Sequence, residues 1–280
     1  MNYNVVNFHV INECNYGCTY CFGKFDCHHP LPLKDAKRIV DEIAKYFREK
    51  NISSPRINLA GGEPTIYKHL DELIDYIHSL GISVSIVTNG SHLTQERVRS
   101  WKGKVSCIGI SIDSLVKETN LKIGRENGGR TLSLDDVRLL AEEVHSCGIA
   151  LKLNTVVSKL NLTEDLTELY RATQPQRIKI FKMHLVKDVN DSAIPLSVTD
   201  SEFHSFCQRH KGFDHVCEKE GDMENSYVMI DPKGALLLND NGRYTEYGNL
   251  FSQPLSALMG LLPLEQRKYN GRYQKEDCVA

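Results

Sequence analysis

The chain has 280 residues, 41% hydrophobic and 25% charged, with a formal net charge of −2. That balance provides no field to gather nucleic acid or an anionic membrane. No apolar run approaches the roughly 18 residues that span a bilayer, and no basic, apolar leader opens the sequence, so a cytoplasmic protein with neither partner is expected.

Residues 3–11 form a β-rich run, followed by a helical pattern over 31–50 with Pro32 near its first turn. The alternation repeats: strand 56–60 and helix 69–80, strand 83–88 and helix 94–101, strand 107–112 and helix 134–146. Strand 150–157 precedes helix 164–172, strand 177–185 precedes helix 200–210, and short strands at 227–230 and 235–238 end the pattern. Six βα units separated by helices predict an α/β fold, a parallel sheet with right-handed crossovers curled into a partial (βα)6 barrel. Active residues then belong at the strand C-termini. No repeat or linker divides the chain, and the expected organisation is a barrel over 1–210 with a C-terminal extension over 211–280 that completes or caps the active site.

Nine cysteines in a chain of this size do not make a disulfide scaffold. Cys27, Cys107, Cys147, Cys207, Cys217 and Cys278 are scattered singly and read as reduced thiols packed as small apolar groups. Cys14, Cys18 and Cys21 cluster directly after the first strand with the spacing C-x3-C-x2-C. Three thiolates hold three irons of a cubane and leave the fourth open to a substrate. A zinc knuckle needs four ligands in spaced pairs, and Cys27, His28 and His29 do not supply the second pair.

That triplet, with an aromatic residue before its last cysteine and Gly61-Gly62-Glu63-Pro64 ending the second strand, resembles the radical S-adenosylmethionine (SAM) superfamily. Within it the chain is similar to the prokaryotic viperins, 3′-deoxy-3′,4′-didehydro-nucleotide synthases. The resemblance runs through Asn7-Phe8-His9, Cys14-Asn15-Tyr16, Thr88-Asn89-Gly90-Ser91, Ser111-Ile112-Asp113-Ser114, Ile123-Gly124-Arg125, Lys152-Leu153-Asn154, Arg177-Ile178-Lys179 and Ser226-Tyr227.

The resemblance implies a [4Fe–4S] cluster on Cys14, Cys18 and Cys21, and SAM held by Phe22, Gly61, Gly62, Glu63, Asn89, Ser114 and Arg125. It also implies a triphosphate of CTP, UTP or GTP, with about four negative charges, gripped by Arg56, Lys152, Arg177 and Lys179, with Asn154 a further substrate-binding residue. Parity supports this, because Lys152 and Asn154 share one strand face and Arg177 and Lys179 another. Inward cations without an anion would bury unpaired charge. The resemblance also implies that Asn7 and Tyr227 lie close to the nucleotide sugar as the catalytic residues. The implied reaction begins with one electron, from a donor such as flavodoxin or ferredoxin, that cleaves SAM. A 5′-deoxyadenosyl radical takes the ribose 4′-hydrogen, the 3′-hydroxyl leaves with a proton as water, a second electron from the donor completes the 3′,4′ double bond, and the product terminates viral or phage polymerases.

Two departures from animal relatives concern Arg56, where they carry lysine, and Ala60, where they carry serine. The membrane helix and tryptophan-ended tail of those relatives are also missing. Competing readings are a radical enzyme acting on a peptide or another nucleotide-derived precursor, and a nucleotide- or zinc-binding protein without turnover.

Overall fold

The computed structural model describes residues 3–23 and 31–273. Cys27, His28, His29 and Cys278 lie outside them.

The expected strands are present as β1 (Val5–Ile11), β2 (Arg56–Gly61), β3 (Ser83–Thr88), β4 (Val105–Ser111), β5 (Ala150–Val157) and β6 (Arg177–Lys182). Between them run α1 (Leu33–Glu49), α2 (Leu70–Ser79), α3 (Gln95–Ser100), α4 (Lys117–Ile123), α5 (Leu134–Ser146) and α6 (Thr167–Thr173). Then follow α7 (Asp200–Arg209), β7 (His215–Glu218), α8 (Glu220–Met223), β8 (Met229–Ile230), β9 (Ala235–Asp240), β10 (Arg243–Asn249), α9 (Leu255–Leu258) and α10 (Gln266–Tyr273). Strand β6 stops short of the expected Leu185 because Asn190 gathers the next segment into a loop, donating to the His184 carbonyl and accepting from the Val186 amide.

All ten strands form one sheet in the order β10-β9-β8-β1-β2-β3-β4-β5-β6-β7. From β8 to β7 every pairing is parallel, whereas β9 and β10 run antiparallel. Neighbours β1 to β6 appear in sequence order, as helix crossovers require. The sheet does not close, so its ends are β7 and β10. Residues beyond 210 supply strands to both edges: β7 beside β6, and β8 beside β1.

Alternation explains the two faces. Val6, Phe8 and Val10 of β1, Ile57 and Leu59 of β2, Ile108 and Ile110 of β4, and Leu151 and Leu153 of β5 are fully buried in the main core with the apolar stripe of α1. The residues between them are polar or small and face inward.

Two expectations change here. Cys207 and Cys217 are not free thiols: α7 lays Cys207 over β7 and the two sulfurs are bonded. A sequence separation of 10 hid from the sequence a proximity that the helix–strand turn creates. Cys107 and Cys147 are in no disulfide and are buried, as small apolar groups are.

Candidate active site

One cavity is lined by the inward positions of the parallel strands. They include Asn7 and His9 of β1, Asn58 and Ala60 of β2, Ser111 of β4, Lys152 and Asn154 of β5, and Lys179 of β6. Depth follows from strand direction. Lys152 and Lys179 are the third residues of their strands, while the cysteine loop begins where β1 ends. At about 3.3 Å per residue, cations mark one end of the cavity, thiols the other, and amide side chains lie between. Gly109 of β4 makes the crossing possible, since a Cβ there would stand 2.8 Å from Lys152 Cε.

The cysteine loop is fixed by backbone contacts that leave no room for side chains. Gly62 donates its amide to the Ile11 carbonyl at 2.7 Å, and a Cβ on it would lie 2.1 Å from the Glu13 carbonyl oxygen. Gly61 has φ of +129°, which disfavours any other residue, and its missing Cβ would meet the Ile11 oxygen at 2.2 Å. From the other side, Gly17 donates to the Gly124 carbonyl at 3.0 Å and Thr19 to that of Ile123 at 2.9 Å. Asn190 holds the Tyr20 carbonyl at 3.0 Å.

Glu63 is fully buried and does not line the cavity. Its Oε1 accepts from the Thr65 amide and from the Thr65 and Thr88 hydroxyls, and its Oε2 from the Asn89 amide at 2.6 Å. Glu63 therefore positions Asn89. Asn89 in turn donates to Asn15 Oδ1 at 2.9 Å and approaches Cys14 Sγ at 3.8 Å.

The donor set fits an iron–sulfur cluster. Cys14, Cys18 and Cys21 are free thiols that line the same cavity, and none is tied into a disulfide. Burial pushes the Cys18 thiol up to about 11, with Arg125 pulling against it. Burial also raises Cys14. Metal must displace these protons on binding. Arg125 is the nearby cation: burial opposes its charge, but an ion pair with Asp113 at 2.5 Å sustains it. Asp113 also accepts from the Tyr20 phenol at 2.6 Å, whose own proton burial and Asp113 hold firmly.

At the other end, Lys152 is half-buried and makes no ion pair with the described residues. Lys179 is different, because Glu218 of β7 meets it at 3.1 Å with both side chains buried. Among the described residues Lys179 therefore has a protein counter-charge and Lys152 has none, and the partner of Lys179 lies in a strand the sequence did not announce. Asn154 Oδ1 is a buried acceptor without a partner. Asn7 donates to the Tyr273 phenol at 2.9 Å and accepts from Asn58 at 2.9 Å. Tyr227 stands 3.5 Å from Glu218 Oε2. Burial pushes the His9 imidazole down to about 4, so the cavity wall carries it neutral.

Of the residues singled out in the sequence, the cavity gathers Cys14, Cys18, Cys21, Phe22, Gly61, Gly62, Asn89, Arg125, Lys152, Asn154, Lys179, Asn7 and Tyr227. It does not gather four. Glu63 acts through Asn89, and Ser114 turns its hydroxyl to the Val116 amide at the start of α4. Arg56 and Arg177 open β2 and β6, deeper than the lining. Parity within Asn7-Phe8-His9 could have added His9. Nothing in the sequence signalled Glu218 or Tyr273.

Residues 8–172 match the family model of the Radical SAM superfamily. The chain is 32% identical over 273 residues to an S-adenosylmethionine-dependent nucleotide dehydratase of Selenomonas ruminantium, covering 96% of this chain and 98% of that protein. It is 36% identical over 248 residues to one of Flammeovirga pacifica, covering 85% and 83%. A Danio rerio relative, S-adenosylmethionine-dependent nucleotide dehydratase RSAD2, is 32% identical over 238 residues, covering 81% and 64%. Among solved structures the fold is shared with Streptococcus suis SuiB bound to S-adenosylmethionine (TM-score 0.70, 17% identity, 96% of this chain and 67% of that). It is also shared with native anSMEcpe with bound AdoMet (TM-score 0.66, 13% identity, 95% and 82%).

Proposed function

Since this chain belongs to the Radical SAM superfamily and to its S-adenosylmethionine-dependent nucleotide dehydratases, we propose that it dehydrates a ribonucleoside triphosphate. The substrate is CTP, UTP or GTP, and the product its 3′-deoxy-3′,4′-didehydro analogue. The carrying observation is one cavity with thiols at one end and Lys152 and Lys179 at the other. When bound, the [4Fe–4S] cluster and SAM supply the radical that removes the 4′-hydrogen.

The chain's own residues do the placing. Cys14, Cys18 and Cys21 ligate the cluster, and Gly61 and Gly62 let the backbone approach the methionyl group of SAM. Glu63 holds the turn that presents Asn89. Phe22 and Arg125 complete the SAM end. Lys152 and Lys179, backed by Arg56 and Arg177, draw the triphosphate to the floor, which orients the ribose toward the thiols. Asn154, with an unpaired buried oxygen, accepts from a ribose hydroxyl; Asn7 and Tyr227 flank the sugar. Neutral His9 adds no competing charge. Where animal relatives carry serine, Ala60 offers no hydrogen bond.

Lacking a 3′-hydroxyl, the product cannot be extended by a polymerase, and defence against phage is the role we assign to it. Flavodoxin or ferredoxin supplies electrons in the cytoplasm. The test incubates reconstituted, reduced protein with SAM and each ribonucleoside triphosphate. 5′-Deoxyadenosine should form together with a nucleotide lighter by one water. Absence of 5′-deoxyadenosine with all four nucleotides overturns the reading.

A further inference from the structure

We propose that Cys207, His215 and Cys217 form a second metal site, specific for zinc, that fixes β7 against α7. The ligand atoms of these three residues lie within 4.8 Å of one another. They come from two elements. Cys207 sits on the buried face of α7 beside Phe203 and Phe206, and His215 and Cys217, two apart on β7, project from one face of that strand. Two sulfurs and an imidazole form a soft donor set that selects zinc over magnesium or calcium.

The histidine is oriented for the task. His215 Nδ1 lies 2.8 Å from the Phe213 carbonyl oxygen. A carbonyl only accepts, so Nδ1 carries the proton and Nε2 presents its lone pair. This is the outer hydrogen bond that metal-bound histidines characteristically make.

The Cys207–Cys217 disulfide is the oxidised form of the same site. Reduction by an external thiol or phosphine, itself oxidised in the exchange, yields two thiols; zinc then replaces their two protons. A protein that must keep Cys14, Cys18 and Cys21 reduced works in surroundings that favour this state. Three protein ligands leave one tetrahedral position for water.

The site has a reason to be where it is. Glu218 follows Cys217 directly and, by alternation, faces the opposite side, where it meets Lys179. Strand β7 is an edge strand of four residues whose only sheet neighbour among the described residues is β6. Anchoring its outer face to α7 fixes Glu218, and through it a cation of the cavity floor.

Zinc is measured by elemental analysis on cluster-loaded protein kept in a phosphine reductant, dialysed against limiting zinc. The expected result is one zinc per chain beyond the cluster iron, with affinity falling on the order of 100-fold or more in His215→Ala and in Cys217→Ser. Cobalt substitution of the unaltered protein gives a readout independent of variant folding: a thiolate-to-cobalt charge-transfer band is expected, and the cluster spectrum should persist. Zinc removal should raise the nucleotide KM while 5′-deoxyadenosine formation without nucleotide stays unchanged. Three results overturn the site: no zinc uptake by reduced protein, a Cys207–Cys217 bond that survives the reductant, or extra iron and sulfide in place of zinc. None of them bears on whether the nucleotide is dehydrated.

Discussion

Lys152 and Lys179 share one cavity floor but differ in what balances them. Lys152 makes no ion pair with the described residues, and under the proposed function a substrate phosphate is its counter-charge. Lys152→Ala should raise the nucleotide KM about 10- to 100-fold, the loss of a charge-assisted hydrogen bond, with little change in melting temperature. Steady-state kinetics beside a thermal melt checks both. Lys179→Ala instead removes the cation that pairs with Glu218, a buried carboxylate, and should destabilise the fold by about 3 kcal/mol in a denaturant titration. Double substitution with Glu218→Gln should recover part of that loss. At the other end, Cys18→Ala should abolish the visible absorption of the reconstituted cluster and all turnover.

Among the elements, the cysteine loop and the end of β2 act as one piece, because Gly61 and Gly62 sit within contact of Ile11 and Glu13. Gly62→Ala should therefore impair cluster retention, read as iron per chain after anaerobic gel filtration, although it touches no ligand. The six core strands were legible in the sequence because their outward residues, such as Val6-x-Phe8-x-Val10, are apolar at every second position. The cysteines and the Lys152/Asn154 parity were legible for the same reason: spacing along a strand or loop is local. What escaped was non-local. Four residues, His215-Val216-Cys217-Glu218, carry too little pattern to announce β7, yet they bring Glu218 to Lys179 and Cys217 to Cys207. The polar helix α10 gave no apolar stripe, and its contribution through Tyr273 depends on where it docks.

For the whole molecule, buried histidines tie stability to pH. The His9 imidazole is held at about 4 by burial, against 6.5 when unfolded, so between those values the unfolded chain takes up a proton that the folded chain refuses. Stability is complete above about pH 6.5 and falls as pH drops toward 4, by about 3 kcal/mol from this group. Burial lowers His184 and His210 as well, adding loss of the same sign. Urea titrations across this range should show the decline, and His9→Asn should flatten part of it. A slope unchanged in that variant removes His9 as its source.

The docking of α10 also orders events in time. Its Tyr269 phenol receives the Val5 amide at 2.7 Å and its Tyr273 phenol receives Asn7, while β8 flanks β1 on the side away from β2. Strand β1, the earliest of the described strands in the chain, thus waits for neighbours that are made much later. Its cysteine loop is synthesised more than two hundred residues before Tyr273, so the cavity is complete only once α10 has been made, and iron delivered earlier in translation would meet an open, half-built shell.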